Sequence, residues 1–335
     1  IYYECNLLVS QQKHEKALEV CEPFARTGLV WAQELLGSLY GNVGINIPSI
    51  LSYPESLKWY LAAAEQGSPS AQVHVSDYYR DGLGASQNYM EAARWAAEAA
   101  TQNYEAAFPR VAHFYLKGLG VDRDQSIAFE WFKRGAESGD TYSMVQLSRI
   151  LLHPGSRSPI APDREKAEYW LRKASFEGDD PSAKVDLTYM LIARDESDRN
   201  FQEEYELLES AANQGYTVAQ FRLGEKLLSK IWGAENPTKA REWLIRATQN
   251  LSARAPALLS TMYERGIGVK ENPLQAYAWL LISQQNAIAD SNRAKSTSAV
   301  TLKLDERLQN MRLVLSENEL EQAKALASVY TKKNF

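Results

Sequence analysis

Apolar residues recur along this chain with the spacing of a helix face, and the whole arrangement returns about every 36 residues. Within each unit the apolar positions lie three or four residues apart, which predicts helices rather than strands. A bulky residue marks the same position in successive units; these markers are Val20, Trp59, Trp95, Trp131, Trp170, Leu207, Trp243 and Trp279. The period predicts seven full units and an incomplete first one.

Helix-capping residues frame the markers. Seven residues before each of seven markers stands a side chain that can accept a hydrogen bond from a first-turn amide: Ser52, Asn88, Asp124, Asp163, Asn200, Asn236 and Asn272. Eight residues after most markers stands a residue that tolerates the left-handed conformation of a helix end: Gly28, Gly67, Asn103, Gly139, Gly178 and Gly215. Each marker therefore lies in a predicted helix of about 14 residues.

Another helix is predicted upstream of each marker. It begins at an alanine 24 residues before five of the markers, at Ala71, Ala107, Ala183, Ala219 and Ala255. Small residues three positions before the marker, such as Ala92 and Ala128, allow the two helices to approach closely. We expect the tryptophans to fill the core between them. Each unit is thus a hairpin of a first helix and a second, marker-bearing helix, and stacked hairpins form a solenoid.

Glycine pairs join the two helices in three units: Gly82 and Gly84, Gly118 and Gly120, Gly266 and Gly268. A glycine-rich turn can also cradle a phosphate. A P-loop, however, needs a terminal Lys-Ser/Thr and a preceding strand, and a dinucleotide fingerprint needs a third glycine. Because the sequence has none of these, we interpret the glycines as turn residues with positive φ.

The combined pattern is Ala-x7-Tyr-x2-Gly-x-Gly-Val, followed by Asp or Asn, Ala-x2-Trp and a closing Gly. It resembles the Sel1-like repeat family, which is related to the tetratricopeptide repeats. The best examples are AFPRVAHFYLKGLGVDRDQSIAFEWFKRGAESG at 107–139 and APALLSTMYERGIGVKENPLQAYAWLL at 255–281. The resemblance covers residues 14–287 and implies an all-α, right-handed superhelical solenoid that acts as a scaffold or adaptor, with no catalytic residue to carry over.

The resemblance also divides the chain. We expect an incomplete N-terminal repeat at 1–31, seven repeats at 32–288, and C-terminal capping helices at 289–335. Ser316 and Glu319 have the spacing of a capping box that opens the last helix. Irregular loops replace the glycine turn at 41–52, 153–162, 192–200 and 230–237.

Composition and charge exclude several classes of protein. The chain of 335 residues is 45% hydrophobic and 24% charged, which is typical of a folded protein. Its net charge of −5 argues against a nucleic-acid-binding surface. No apolar run approaches the roughly 20 residues of a transmembrane helix. No leader-like segment stands at the start, so we expect any signal peptide to have been removed, and a lipid anchor upstream stays open.

The two cysteines bear on the compartment. Cys5 falls on the first predicted helix and Cys21 on the next, so two antiparallel helices could bring them within disulfide distance. The other interpretation is two small buried apolar side chains. A disulfide would favour the periplasm or the outer membrane, whereas free thiols would leave the cytoplasm as the alternative.

Residues that could carry chemistry are sparse. The four histidines, His14, His74, His113 and His153, show no metal-ligand spacing, and no nucleophile elbow or Cys–His arrangement is present. We therefore expect no enzyme activity, no metal and no cofactor. Two tryptophans lie outside the register, Trp31 at a first-helix entry and Trp232 in an irregular loop. Each either packs locally or makes a binding contact.

Polar residues three and six positions after the start of the first helices share one helix face. On this face, expected to be concave, the candidate partner-binding residues are His74, Asp77, Arg110, His113, Arg149, Tyr189, Arg222 and Glu225. Mixed charges suit a peptide or a protein segment. A solvated face without a ligand is the alternative.

The sequence favours a non-catalytic protein–protein interaction scaffold that assembles a bacterial envelope-associated complex. Envelope scaffolds of the resembled family, the alginate-export lipoprotein scaffold among them, are similar in organisation. The alternative is a recognition module for a polysaccharide or a cell-wall ligand, which a row of exposed aromatic side chains would favour.

Overall fold

The structure, a computed structural model, describes residues 1–41, 50–155, 158–229, 236–249, 254–294 and 299–332. Within these ranges the chain forms eighteen α-helices, two short 3-10 helices and no strand, so the predicted all-α solenoid of helical hairpins is confirmed. The chain divides into two compact units, unit 1 at Ile1–Trp170 and unit 2 at Leu171–Phe335. Trp232 and most of the irregular loop at 230–237 lie outside the described residues.

Helix bounds follow the predicted hairpins. Unit 1 contains α1 (Tyr2–Ser10), α2 (His14–Arg26), α3 (Val30–Gly41), α4 (Tyr53–Glu65), α5 (Pro69–Asp81), α6 (Tyr89–Thr101), α7 (Phe108–Lys117), α8 (Gln125–Glu137) and α9 (Thr141–Leu152), and the unit boundary falls inside α10 (Arg164–Phe176). Unit 2 continues with α11 (Pro181–Ile192), α12 (Phe201–Asn213), α13 (Thr217–Leu227), α14 (Pro237–Thr248), α15 (Arg254–Arg265), α16 (Pro273–Ala294), α17 (Ala299–Arg312) and α18 (Glu317–Lys332). The 3-10 helices are Glu105–Ala107 and Glu196–Asp198.

The predicted N-caps of the second helices are confirmed. Each of the seven side chains accepts a hydrogen bond from a first-turn amide, as Asp124 does from Ser126 N at 2.8 Å. Some first helices are capped in the same way, at Ser68, Asp140 and Asp180. The capping box of α18 is present as well, because Ser316 N donates to Glu319 Oε2 at 2.9 Å. Local capping thus fixes where the helices begin.

Small residues line the contact between the two helices of each hairpin. On the first helices these are Gly37, Ser76, Ala112, Ser148, Thr188, Gly224 and Ser260, all buried. Ser56 Oγ of α4 donates to the Gly37 carbonyl oxygen of α3 at 2.6 Å, and Ser76 Oγ of α5 donates to the Ala92 carbonyl oxygen of α6 at 2.7 Å. Side chains thus reach the backbone of the opposite helix, which requires a close approach.

The second helix of one hairpin, α12, has a large charged residue at this contact instead of a small one. At the position where other second helices have alanine or serine, α12 carries Glu204, which is fully buried. Arg199, just before α12, binds both carboxylate oxygens, with Nε–Oε1 at 2.8 Å and Nη2–Oε2 at 2.5 Å. The paired guanidinium offsets part of the cost of burying the carboxylate.

The second glycine of each glycine pair contacts the preceding hairpin. Gly120 has a φ of 70°, and a Cβ there would overlap the carbonyl oxygen of Tyr89, the first residue of α6. Gly84 lies in the same way against Tyr53 of α4, and Gly268 lies against Pro237 of α14. The first glycines, Gly118 and Gly266, end α7 and α15 with φ of 70° and 67°. These glycines therefore set both the turn and the spacing between repeats.

Buried glutamines add polar contacts between neighbouring hairpins. Gln33, Gln72 and Gln220 follow the alanine of their first helices, and their Nε2 atoms each donate at 3.2 Å to a carbonyl oxygen near the end of the preceding second helix. Gln66 and Gln102 extend the arrangement, because they donate to Gln33 and Gln72 at 2.7 and 2.9 Å. These bonds tie α3 to the ends of α2 and α4, and α5 to the ends of α4 and α6, whereas Gln220 ties α13 to the end of α12.

Two sequence expectations need correction. Trp59, Trp95, Trp243 and Trp279 are buried, but Trp131 and Trp170 are only half-buried. In α8 the fully buried ring is Phe132, whereas Trp131 packs beside Phe108 with ring centroids 5.5 Å apart and lies under the Arg134 guanidinium. After α10 the residue with positive φ is Asp179 (51°) rather than Gly178, because this turn is one residue longer than in the neighbouring repeats.

The C-terminal helices pack on the last hairpin. The Trp279 ring of α16 stacks on the Tyr330 ring of α18 with centroids 4.4 Å apart. Arg312 Nε of α17 donates to the Tyr277 hydroxyl of α16 at 2.8 Å. Because α16 extends to Ala294, it continues through the boundary that we expect at 288/289. The division into three segments stays a prediction.

We expect Gly120→Ala to destabilise the protein much more than Gly139→Ala. Both glycines have positive φ, but a Cβ at Gly139 meets no atom within 4 Å. Backbone strain alone costs about 1–2 kcal/mol, and the overlap with Tyr89 adds about 1–3 kcal/mol. Urea denaturation of both variants measures the difference, and equal losses would show that the close approach does not constrain the stack.

We also expect Phe132→Ala to lower the free energy of unfolding by about 3–5 kcal/mol, the range for a fully buried ring. Trp131→Ala removes a half-buried ring, so about 1–2 kcal/mol is expected. The two adjacent positions share one helix, which makes each a control for the other. A larger loss at Trp131 in the same denaturation assay would contradict the assignment of Phe132 as the core residue.

Candidate functional site

An ion-pair cluster joins two neighbouring first helices of unit 1. Asp77 of α5 accepts hydrogen bonds from Arg110 Nε (3.0 Å) and Nη2 (2.7 Å) of α7. The same carboxylate accepts from Arg80 Nη1 at 2.7 Å, and Arg80 also binds Asp81. Arg110 Nη1 donates to the Ala106 carbonyl oxygen at 2.6 Å. Two guanidinium groups are thus held in fixed positions on this surface.

His113 and Tyr142 continue the surface from α7 to α9. His113 Nδ1 and the Tyr142 hydroxyl lie 3.2 Å apart. Burial lowers the pKa of His113, and the charges of Lys117 and Arg80 lower it further. Burial raises the pKa of Tyr142, although the nearby Arg149 charge acts in the opposite direction. At neutral pH the pair is therefore an uncharged imidazole beside an uncharged phenol.

A cavity of about 410 Å³ opens between these side chains. Arg80, Arg110, His113, Asp140 and Tyr142 supply its polar groups, and the remaining lining residues are Pro109 and Phe114. Its size falls in the range of roughly 300–1,000 Å³ that is usual for ligand pockets. We call the surface around it, formed by Asp77, Arg80, Arg110, His113 and Tyr142, the α5–α9 face.

His74 lies apart from this cavity. Its ring stacks on Tyr60 of α4 with centroids 4.5 Å apart, and it lines a different, smaller cavity with residues of α1 and α3. Burial lowers the pKa of His74, while Asp77 raises it and Arg110 lowers it by smaller amounts. Of the predicted partner-binding residues of unit 1, Arg110 and His113 line the larger cavity and His74 lines the smaller one. Asp77 lines neither cavity but binds Arg110, and Arg149 lies on α9, where its charge acts on Tyr142.

In unit 2 the predicted residues form a group of their own. Arg222 of α13 binds Glu225 with Nη1–Oε2 at 2.8 Å, and its guanidinium lies 5.3 Å from the ring centroid of Tyr189 of α11. Burial raises the pKa of Tyr189. The contact of Arg222 with Tyr189 crosses between two first helices, as the Arg110–Asp77 pair does, whereas Arg222 and Glu225 share α13.

The sequence pattern did not reveal that Arg110 pairs with Asp77. It also did not identify Arg80 and Tyr142 as residues of the site. Arg110 and Asp77 are 33 residues apart, close to one repeat. Opposite charges on adjacent first helices at corresponding faces are a signal that could have revealed the pair. Several candidate side chains therefore contact one another in the structure without a ligand, as Asp77 and Arg110 do.

Of the two interpretations of the cysteines, the structure supports the disulfide. Cys5 of α1 and Cys21 of α2 are bonded, with their Cα atoms 6.0 Å apart, and both are fully buried. In the described part of the chain, no group of three or more His, Cys, Asp or Glu side chains could hold a metal ion. No helix within the described ranges combines the length and the apolar character needed to span a membrane.

A family model of the Sel1 repeat matches the chain at residues 32–68, 69–104, 110–140, 141–179, 198–216, 217–250 and 253–283. No curated protein matches the sequence significantly.

Solved structures are similar to the chain as well. A protective antigen present in uropathogenic Escherichia coli strains, with an SLR fold, has a TM-score of 0.79 and 25% identity over 95% of this chain. That match covers 64% of the antigen, so the chain spans less than two thirds of its length. A Sel1 repeat protein from Oxalobacter formigenes matches with a TM-score of 0.64 and 24% identity, over 73% of this chain and 96% of that chain.

We expect Asp77 and Arg110 to be energetically coupled. A double-mutant cycle of Asp77→Ala and Arg110→Ala should give about 1–2 kcal/mol, because the pair is bidentate and mostly shielded from water. The control pair Glu91 and Arg94 lies exposed on α6 and should give less than about 0.5 kcal/mol. Equal coupling of the two pairs in chemical denaturation would contradict a role of Asp77 in linking the first helices.

Proposed function

This chain belongs to the Sel1 repeat family, and from that membership we propose that it is a non-catalytic scaffold which binds a partner protein on the α5–α9 face. Proteins of this family generally act as protein–protein interaction scaffolds. We choose this face because Arg80, Arg110, His113 and Tyr142 surround a cavity there. Arginine and tyrosine are the residue types that dominate binding energy at protein interfaces.

The fixed geometry of the face supports binding rather than chemistry. Asp77 orients both guanidinium groups, so little side-chain freedom is lost when a partner docks. Tyr142 is 43% exposed beside the cavity and offers a large ring with a polar hydroxyl. The face thus combines preordered donors with an accessible aromatic side chain, which suits a protein segment with both acidic and apolar residues.

We further propose that the complex is assembled in the periplasm or at the outer membrane of a bacterium. The Cys5–Cys21 disulfide supports this compartment, because structural disulfides persist in oxidising environments. The similarity to a protective antigen of uropathogenic Escherichia coli gives weaker support, at 25% identity.

Site-specific photo-crosslinking tests the face. A photoreactive phenylalanine analogue replaces Tyr142 on α9 or, as the matched control, Tyr169 on α10, which is an exposed tyrosine of a second helix in the same unit. In native cells we expect one protein to crosslink at position 142 and not at 169. Mass spectrometry identifies it.

A second test measures the affinity of the crosslinked partner for a protein variant with a substitution in the cavity. We expect His113→Ala to weaken binding of the purified partner several-fold, since both the ring and its contact with Tyr142 are removed. Circular dichroism checks that the variant is folded. Equal crosslinking at both positions, or unchanged affinity of His113→Ala, would contradict the proposed face.

A further inference from the structure

A second cavity lies in unit 1 where α1, α3, α4 and α5 meet. It has a volume of about 250 Å³, and its walls include the rings of Tyr2, Trp31 and Tyr60 and the side chain of Leu35. Because it is smaller than the roughly 300–1,000 Å³ of sites for drug-sized ligands, its size suits one inserted side chain. We call it the α1–α5 cavity.

One carboxylate gives this cavity its charge. Glu34 of α3 is the only Asp or Glu among the described residues that line it, and no lysine or arginine lines it. Ser68 Oγ accepts from Ala71 N at 3.2 Å as the N-cap of α5, and its hydroxyl donates to Glu34 Oε1. The carboxylate is therefore held in place by a group that carries no compensating positive charge.

The neighbouring histidine does not supply that charge either. His74 lines the cavity beside Glu34, and burial lowers its pKa below the ordinary value, so the imidazole is neutral at neutral pH. Arg110, whose charge also acts on His74, is already bound to Asp77. A negative charge thus remains in a partly desolvated site, where an added cation gains more attraction than it would in water.

The aromatic walls favour a long aliphatic side chain over a sugar ring. The Tyr2 and Trp31 rings meet edge to face with centroids 5.2 Å apart, Phe24 stacks near Trp31, and Tyr60 is covered by His74. Because the Tyr2 and Trp31 rings stand perpendicular to each other and Tyr60 is buried under His74, they do not form the continuous flat platform on which a pyranose stacks. Lysine and arginine, in contrast, combine an apolar stem with a charged end, which matches apolar walls around one carboxylate.

The disulfide holds the outer wall of this cavity. Tyr2 and Asn6 line it from α1, a helix of nine residues with Cys5 between them. A helix this short is marginal by itself, and its described buried residues are Cys5 and Leu8. The bond from Cys5 to Cys21 therefore keeps Tyr2 and Asn6 over the cavity.

We propose that the α1–α5 cavity accepts one lysine or arginine side chain of a partner protein, with Glu34 as its counter-charge and with the Cys5–Cys21 disulfide holding its outer wall. The proposal rests on the proposed scaffold function and adds the chemistry of a second contact. A partner that also reaches the α5–α9 face would thus carry a basic residue at one end of its docking segment.

Titration with small amides tests the ligand class on the full, oxidised chain. The compounds are Nα-acetyl-lysine methylamide, its neutral isostere Nα-acetyl-norleucine methylamide, and N-acetylglucosamine. The indole nitrogen signal of Trp31 in ¹⁵N-labelled protein, assigned with Trp31→Phe, reports binding. We expect the lysine amide to shift this signal at millimolar concentration and the other two compounds to leave it unchanged.

Variants then test the assigned roles. Glu34→Gln should weaken the lysine amide about tenfold or more, in line with the loss of a charged hydrogen-bond partner. Glu137→Gln, an exposed change on α8, is the matched control and should bind as the parent does. Tyr2→Ala, with the disulfide intact, and Cys5→Ser combined with Cys21→Ser should each weaken binding several-fold while the other indole signals stay in place.

Several results would overturn the proposal. Binding of the norleucine amide as tight as that of the lysine amide would show an apolar site, and binding of N-acetylglucosamine would show a glycan site. Unchanged affinity in Glu34→Gln would show that Glu34 is not the counter-charge. Unchanged affinity in the variant with Cys5→Ser and Cys21→Ser would show that the disulfide does not hold the cavity wall. No shift with any compound rejects the site, whereas crosslinking at position 142 does not depend on these outcomes and tests the scaffold function separately.

Discussion

The close approach of the two helices within each hairpin is the contact on which the rest of this structure depends. Small residues such as Gly37, Ser76 and Gly224 bring the first helix against the second, and serine hydroxyls reach the opposite backbone. Repetition of this contact places the exposed positions of the first helices at a regular spacing. Asp77 and Arg110 can therefore meet although 33 residues separate them.

Features that depend on neighbouring residues could be predicted from the sequence. Asp124 caps α8 and Gly118 ends α7 because capping and positive φ are decided within one turn of helix. The half-burial of Trp131 could not be predicted in this way. Its exposure depends on how Phe108 and Arg134 pack around it, and the repeat pattern does not encode that detail.

The candidate site also combines features that the sequence predicts with features that depend on packing. The sequence placed Asp77, Arg110 and His113 on one face, because periodicity assigns faces. It did not reveal that Arg80 and Tyr142 complete a cavity there, or that His74 belongs to another one. A cavity is formed by side chains from several hairpins, so its existence depends on packing between repeats rather than on the pattern within one. The sequence left a disulfide and two buried thiols as alternatives for the cysteines, and only the fold shows a bond, which lies next to Tyr2 and Asn6.

The buried pair of Glu204 and Arg199 has a consequence for how this repeat can evolve. Other repeats carry alanine or serine where α12 carries Glu204, so single substitutions between small residues are available to them. In α12, replacing either member of the pair removes a bidentate hydrogen-bond partner from a buried group, which is expected to be destabilising. Replacing both members together is therefore expected to cost less stability than replacing one alone. Substitutions at positions 199 and 204 are thus constrained together in this repeat, unlike those at the small residues of its neighbours.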